Sequence, residues 1–471
     1  MPTQKVPRQA KRQLILNTFF MRFGHHPAAW RHPSASGDGR PDVDYWTKLA
    51  VLAERAKLHT FFLADFVGRS AEDLDAHSRM GVAFQFEPIS LLSYIAAHTK
   101  HIGLVATVNT NFEHPYNVAR VFASLDHVSG GRAGWNVVSS LSEATVRNFG
   151  LPRPFTHAER YERAAEFVAL AKQLWDSWDD DAFDRPDRAA GRFFETASAH
   201  PVRHAGKHFS SEGLLDIARP LQGYPVLVQA GNSDTGREFA AEIAEMIYAS
   251  AQSLEVAQAY YRDVKGRMAA YGREPDQLKI TPGLSVVVAK TDQEARDKFE
   301  SLQSLVDLAR GLLQFGIDAS KLDLDGPLPD DLPEPENGKG RMKQLVELAR
   351  RENLTVRQLV LRFGVARGHL QLIGSPTRVA DVIEEWFTQG GADGFNIVPP
   401  LLPGGFEDFV ELVVPELQRR GLFHRDYEGA SYRENLGLPR PQDARRQAAP
   451  AAAGRLEKVR EDAVGAPAAQ G

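Results

Sequence analysis

Polar residues that follow short apolar runs are the first candidates for chemistry in this chain. Asp65 ends one such run, Thr107 and Asn109 lie in a second, Asn136 and Ser139 in a third, and Asn232 with Ser233 follow a fourth. A turn or a helix cap explains any one of them equally well. Gathered at convergent strand ends, they would line a pocket. The richest stretch is Gln229-Ala230-Gly231-Asn232-Ser233-Asp234-Thr235-Gly236, which leaves an apolar run and enters a helix near Arg237. Glycine permits close approach to the backbone, Ser233 supplies a hydroxyl, and a helix start presents free N–H groups at its positive dipole end. Those are the requirements of a phosphate; an ordinary capped helix start has the same letters. His25-His26-Pro27-Ala28-Ala29-Trp30-Arg31-His32-Pro33 follows the first apolar run and belongs to a pocket rim if that run is a barrel strand. Arg31 there has the planar fork that suits a substrate carboxylate or sulfonate, or an ordinary surface ion pair.

Other chemistries are excluded or weakened. The chain has no cysteine, so thiolate nucleophiles, disulfides, iron–sulfur clusters and cysteine-ligated zinc are ruled out. His200, His204 and His208 have helical metal-ligand spacing, but Pro201 and Gly206 argue against a helix, and no metal is expected. H-E-x-x-H, G-x-S-x-G, G-x-G-x-x-G and the phosphate-loop motif do not occur. A net charge of -5 gives no bias toward nucleic acid or anionic membrane. The basic residues before Leu14–Met21 imitate a signal peptide, yet Asn17 and Thr18 interrupt the run and no small-residue cleavage site follows, so a cytoplasmic chain is expected.

The elements that must carry these residues follow from periodicity. Short runs, β-branched or continuously apolar, occur at Leu14–Met21, Thr60–Asp65, Ile102–Asn109, Ala133–Val138, Pro225–Gln229, Met246–Ala249, Ile280–Val288 and Gly394–Val398. They alternate with helical stripes such as Trp46, Leu49, Ala50, Ala53 and Ala56. Eight βα units predict an α/β fold of the (β/α)8 TIM barrel type over residues 1–440 as one domain. Two connections, at about 140–224 and 289–393, are too long for barrel loops and are expected to be insertions covering the mouth. Within the second, Asp323–Gly340 reads as irregular loop, with helices at Arg341–Arg351 and Val356–Phe363. Residues 441–471 are rich in Ala, Pro, Arg and Gly and predict a disordered tail.

Several stretches together carry a specific resemblance. They are GHHPAAWRHP (Gly24–Pro33), FFLADF (Phe61–Phe66), FEPISLLSYIAAHT (Phe86–Thr99), NVARVFASLDHVSGGRAGWNVVSS (Asn117–Ser140), VRNFG (Val146–Gly150), HAERYERAAEF (His157–Phe167), QAGNSDTGREFAA (Gln229–Ala241) and ADGFNIVPPLLPGG (Ala392–Gly405). The chain resembles the bacterial luciferase-like, flavin-dependent monooxygenases of the nitrilotriacetate and dibenzothiophene-sulfone monooxygenase group. The resemblance implies a barrel that takes reduced FMN (FMNH2) from a separate NAD(P)H:flavin reductase and uses O2 to oxygenate a small organic substrate, such as an amine, thioether or sulfone. It also implies a homo-oligomer. Carried over by position, flavin contacts fall at Asp65, Thr107, His157, Tyr161 and Ser233, with Asn109, Asn136, Ser139 and Asn232 as further candidates. Periodicity alone reads Tyr161 as a packed helix residue. Phe66 and the pair Val108-Asn109 depart from the family pattern close to where flavin and substrate should meet, which puts Phe66 beside His25, Trp30 and Arg31 as a substrate-side candidate. A deazaflavin-dependent dehydrogenase of the same barrel, a non-catalytic flavin-binding protein and a metal-dependent barrel hydrolase are the competing readings.

Overall fold

The computed structural model describes residues 12–443, apart from 36, 38, 69–73, 75–77, 79–80, 82–84, 141, 308–321, 330, 333–345, 348 and 367. Its strands are β1 (Ile15–Phe19), β2 (Thr60–Leu63), β3 (Gly103–Asn109), β4 (Ala133–Val138), β5 (Val202–Ala205), β6 (Ser210–Gly213), β7 (Val226–Gln229), β8 (Met246–Ala249), β9 (Lys279–Val288), β10 (Leu370–Gly374) and β11 (Gly394–Ile397). Eight of them close a parallel ring in the order β1-β2-β3-β4-β7-β8-β9-β11 and back to β1. All eight runs expected from the sequence are these strands, and the barrel is closed. Closure gives every ring strand two neighbours and leaves no exposed edge among them.

The ring is held by helices whose apolar stripes the sequence displays. Helix α1 (Val43–Arg55) buries Trp46, Leu49, Ala50 and Ala53, and its start is fixed by Asp42, whose carboxylate accepts from the Tyr45 N–H. Helices α2 (Pro88–Ala96) and α3 (Pro115–Ser129) each begin on a proline that fits a first turn. Between barrel wall and helices, Trp135, Phe122, Phe167 and Trp175 make edge and tilted ring contacts in a fully buried layer.

The segment 140–224 contains α4 (Glu143–Asn148), α5 (His157–Trp175) and the antiparallel pair β5–β6. His204 and the residues that open β6 fold onto α5, where Glu166 bonds the His204 Nε2 at 3.1 Å and accepts from the His208 and Phe209 N–H groups. His200 bonds Asp179 instead. The three imidazoles thus lie against three different carboxylates, Asp179, Glu166 and Glu162, rather than one common centre. After β7 and β8 come α6 (Asp234–Ile243) and α7 (Leu254–Arg267).

The segment 289–393 holds α8 (Asp292–Gln303), α9 (Val356–Ala366), β10 and α10 (Pro376–Thr388). Strand β10 was not expected: it pairs with β9 outside the ring, so its faces are only half-buried and its pattern is weak. The helix expected at Val356–Phe363 is α9. Most of the helix expected at Arg341–Arg351 and the tail from residue 444 lie outside the described residues. No described helix is long and apolar enough to cross a membrane.

Candidate functional site

At the C-terminal ends of the ring strands lies an open cleft of about 1370 Å³, mouth included. Asp65, Phe66, Thr107, Asn136, Ser139, His157, Tyr161 and Asn232 line it, so residues at or beyond the ends of four ring strands converge as a barrel requires. Thr107 and Asn136 face each other across β3 and β4 in direct register, and the Asn136 amide donates to the Thr107 hydroxyl at 2.9 Å. That bond orients the amide and leaves Asn136 Oδ1 buried without a partner among the described residues.

Asp65 stands just beyond β2, where Gln85 donates to its carboxylate at 3.0 Å and to the Ala64 carbonyl at 3.2 Å. Burial pushes the Asp65 carboxyl above its usual range, against the Gln85 bond that lowers it. The acid is therefore tethered by Gln85 at the end of β2.

His157 and Tyr161 owe their positions to a capping box. The Thr156 hydroxyl accepts from the Glu159 N–H while the Glu159 carboxylate accepts from the Thr156 N–H, which starts α5 at His157 and sets Tyr161 one turn later on the same face. The Tyr161 ring packs edge-on against Phe239 of α6 at 5.8 Å and beside His157 at 4.9 Å. It is a packing residue, as periodicity reads it, and a wall of the cleft as well.

Two glycines let the chain pack closely on itself at the start of α6. A Cβ on Gly236 would come within 2.8 Å of the Tyr161 hydroxyl, and one on Gly231 within 2.8 Å of the Gly236 Cα. Ser233 is the N-cap, its hydroxyl accepting from the Gly236 N–H at 3.1 Å. A hydroxyl with one lone pair so engaged still has its proton to donate. Ser233 is exposed at the rim just outside the cleft lining, next to Asn232.

Other expected residues are placed away from the cleft. Both ends of the Asn109 amide are spent on backbone, donating to the Ser140 carbonyl at 2.7 Å and accepting from the Asn111 N–H at 3.0 Å. It staples two loops together. His25 lies behind the wall, its ring edge on Phe19 at 4.6 Å and its Nε2 2.8 Å from the Phe19 carbonyl. Gly24 makes this possible: at φ 114° it lies so close to Pro400 that a Cβ would overlap the Pro400 carbonyl. Trp30 covers Gly81, and the Arg31 guanidinium donates to the Leu305 carbonyl. Of the four substrate-side candidates only Phe66 reaches the cleft, and it is half exposed there.

The cleft also contains residues that sequence reasoning missed. Tyr248 and Asn396 stand at the ends of β8 and β11, and the Tyr248 hydroxyl and Asn396 Oδ1 are buried without partners among the described residues. The rule that found Thr107 and Asn136 reaches both once it is applied to the sixth and eighth strands. His369 arrives from the second long segment, its ring seated where a Cβ on Gly283 would be. Nothing local in the sequence marks it. Arg160 donates to the Ser139 carbonyl at 3.1 Å from the turn that carries His157 and Tyr161.

The sequence profile of the luciferase-like monooxygenases matches residues 21–394. The chain belongs to that family. It is 44% identical to nitrilotriacetate monooxygenase component A of Aminobacter aminovorans, over 92% of this chain and 98% of that protein. It is 45% identical to N-acetyl-S-(2-succino)cysteine monooxygenase of Bacillus subtilis, with the same coverage. Among solved structures, a long-chain alkane monooxygenase superposes with a TM-score of 0.80 at 34% identity, covering 91% of this chain and 96% of the other. The resemblance in the sequence and the closed barrel therefore agree.

Proposed function

We propose that this chain is the oxygenase component of a two-component system, binding FMNH2 delivered by a separate NAD(P)H:flavin reductase and using O2 to oxygenate a small organic substrate. The observation that carries it is the donor set of the cleft. Among the described residues, four buried polar atoms of its lining lack partners: Asn136 Oδ1, Arg160 Nε, the Tyr248 hydroxyl and Asn396 Oδ1. An apolar ligand would leave them unsatisfied, at about 1–3 kcal/mol each, whereas a flavin ring edge bears both N–H donors and carbonyl acceptors. At the rim, the start of α6, with the exposed Ser233 as its N-cap, suits a phosphate.

In this reading Asp65, Thr107 and Asn136 hold the ring; His157, Tyr161, Asn232 and Ser233 hold the phosphate end. Reduced flavin, when bound, supplies the electrons that activate dioxygen. The chain's own residues orient and shield. Thr107 fixes the Asn136 amide, Gln85 fixes Asp65, and Phe19, Phe62, Ala64 and Phe66 form an apolar wall that limits water near the reacting ring. Asp65, whose carboxyl burial shifts above its ordinary range, is held by Gln85 at the edge of the cleft.

The test is reconstitution. Protein, FMN, a flavin reductase and NADH are combined with a panel of amines, thioethers and sulfones, and oxygen uptake is followed alongside product mass. Uptake coupled to a product one oxygen atom heavier is expected. Substrate oxidation that needs a deazaflavin and no oxygen overturns the reading.

A further inference from the structure

Arg22 lies three residues beyond β1 and is 8% exposed. Its guanidinium carbon is 4.4 Å from the centre of the Tyr45 ring and 5.6 Å from that of Phe23. Among the described residues, no acceptor meets its Nε or Nη1 and no carboxylate pairs with it. The other buried arginines each meet a carboxylate or a set of carbonyls among the described residues, although Arg433 Nε itself has no partner there. Arg132 donates to the hydroxyl of Thr99 and to four backbone carbonyls, Arg219 pairs with Asp176 and Asp180, and Arg433 pairs with Glu245. A buried cation left without an anion is costly, so a retained one signals a counter-charge from elsewhere.

Arg22 lines a small side pocket, about 580 Å³ with the open solvent at its mouth included. Phe19, Ala64 and Phe66 line both this pocket and the barrel cleft, so the two adjoin across those side chains. Arg40, Asp42 and Gln85 are its other polar residues. The Asp42 carboxylate accepts from the Tyr45 N–H at 3.0 Å as the cap of α1, and Gln85 is held by Asp65.

We propose that Arg22 is a specificity-determining residue: the substrate is an organic acid whose carboxylate enters the side pocket and pairs with the Arg22 guanidinium, while its oxidisable atom remains in the cleft beyond Phe19 and Phe66. The assignment of the oxidisable end rests on the monooxygenase reading; the anchor rests on the buried guanidinium that no carboxylate meets among the described residues. The guanidinium fork matches a planar carboxylate with two parallel hydrogen bonds, which an ammonium cannot do. The role expected of Arg31 passes to Arg22, because Arg31 lines neither cavity.

The experiment uses the full chain and a charged probe with its neutral counterpart, succinate and succinamide, at fixed ionic strength. Calorimetry and melting temperature are read on the natural chain, Arg22→Met and Arg22→Lys. Succinate should bind the natural chain and raise its melting temperature, succinamide should do neither, and Arg22→Met should lose roughly tenfold or more in succinate affinity. Arg22→Lys should fall between the two. Equal succinate affinity in the natural chain and either variant, or no succinate binding at all, overturns the anchor. If Arg22→Met does not fold, Arg22→Lys decides alone. FMN titration of the natural chain is a separate readout: a chain that binds succinate through Arg22 but no flavin keeps the anchor and loses the monooxygenase reading.

Discussion

Ser233 uses one lone pair to cap α6 and keeps its proton for a ligand, so capping and phosphate binding are compatible on one oxygen atom. Two substitutions separate them. A charge-assisted hydrogen bond contributes about 1.5–3 kcal/mol, so Ser233→Ala should weaken FMN binding about 10- to 100-fold. Ser233→Asp keeps a good cap but sets a carboxylate against the phosphate, and should bind FMN more weakly still while melting no lower than the natural chain. Fluorescence quenching and melting curves read both effects; unchanged affinity in the Asp variant would remove the phosphate from this helix start. Thr107 offers a different contrast. Thr107→Val preserves shape but frees the Asn136 amide, so flavin affinity should fall about 5- to 10-fold, with a loss of melting temperature no larger than one buried hydrogen bond implies.

Among the elements, the short helix Tyr432–Asn435 seals the end of the barrel opposite the cleft. Tyr432 is fully buried there, its hydroxyl 2.6 Å from that of Thr60, and its ring occupies the room left by the missing Cβ atoms of Gly103 and Gly134. Arg433 beside it binds Glu245 and the Tyr224 carbonyl. Burial would raise the Glu245 carboxyl, but the Arg433 guanidinium and the Leu227 N–H outweigh it and hold the group below its ordinary value of 4.5. A carboxylate with a depressed folded pKa adds stability above its unfolded pKa and loses it as pH falls through the folded one. Melting temperature should therefore drop as pH is lowered below about 4.5, and Glu245→Gln should start lower at neutral pH yet fall less steeply. Parallel acid profiles of the two proteins would refute this role. Ending the chain at 430 removes the plug and should abolish folding, whereas ending it at 443 keeps Arg440 on Asp180 and should leave melting and flavin binding unchanged.

For the whole molecule, the two-component reading makes a sharp demand on solution behaviour. With no dinucleotide-binding turn in the sequence and the barrel cleft assigned to flavin, the isolated chain should oxidise no NADPH until a reductase is added; strong oxidation by the chain alone would contradict it. Sedimentation should show a species larger than the 52.1 kDa chain at micromolar concentration, as the family resemblance implies. The sequence by itself determined the eight ring strands, because a strand covered on both faces must be continuously apolar and its boundaries fall at turn residues. It also determined Thr107, Asn136 and Asp65, since a polar side chain directly at the end of such a run has few other places to point. Only the tertiary structure decided which residues share a cavity. Asn109 looks like Asn136 in sequence, yet its amide is consumed by loop carbonyls, and Arg31 yields to Arg22 because one guanidinium finds the Leu305 carbonyl while the other is buried against Tyr45. His369 reaches the cleft from the second long segment and seats its ring against Gly283 of β9, more than eighty residues back in the chain, a contact that no local pattern encodes. Local spacing fixes the direction of a side chain relative to its own strand; the partners it meets depend on closure of the ring and on where the long connections fold back.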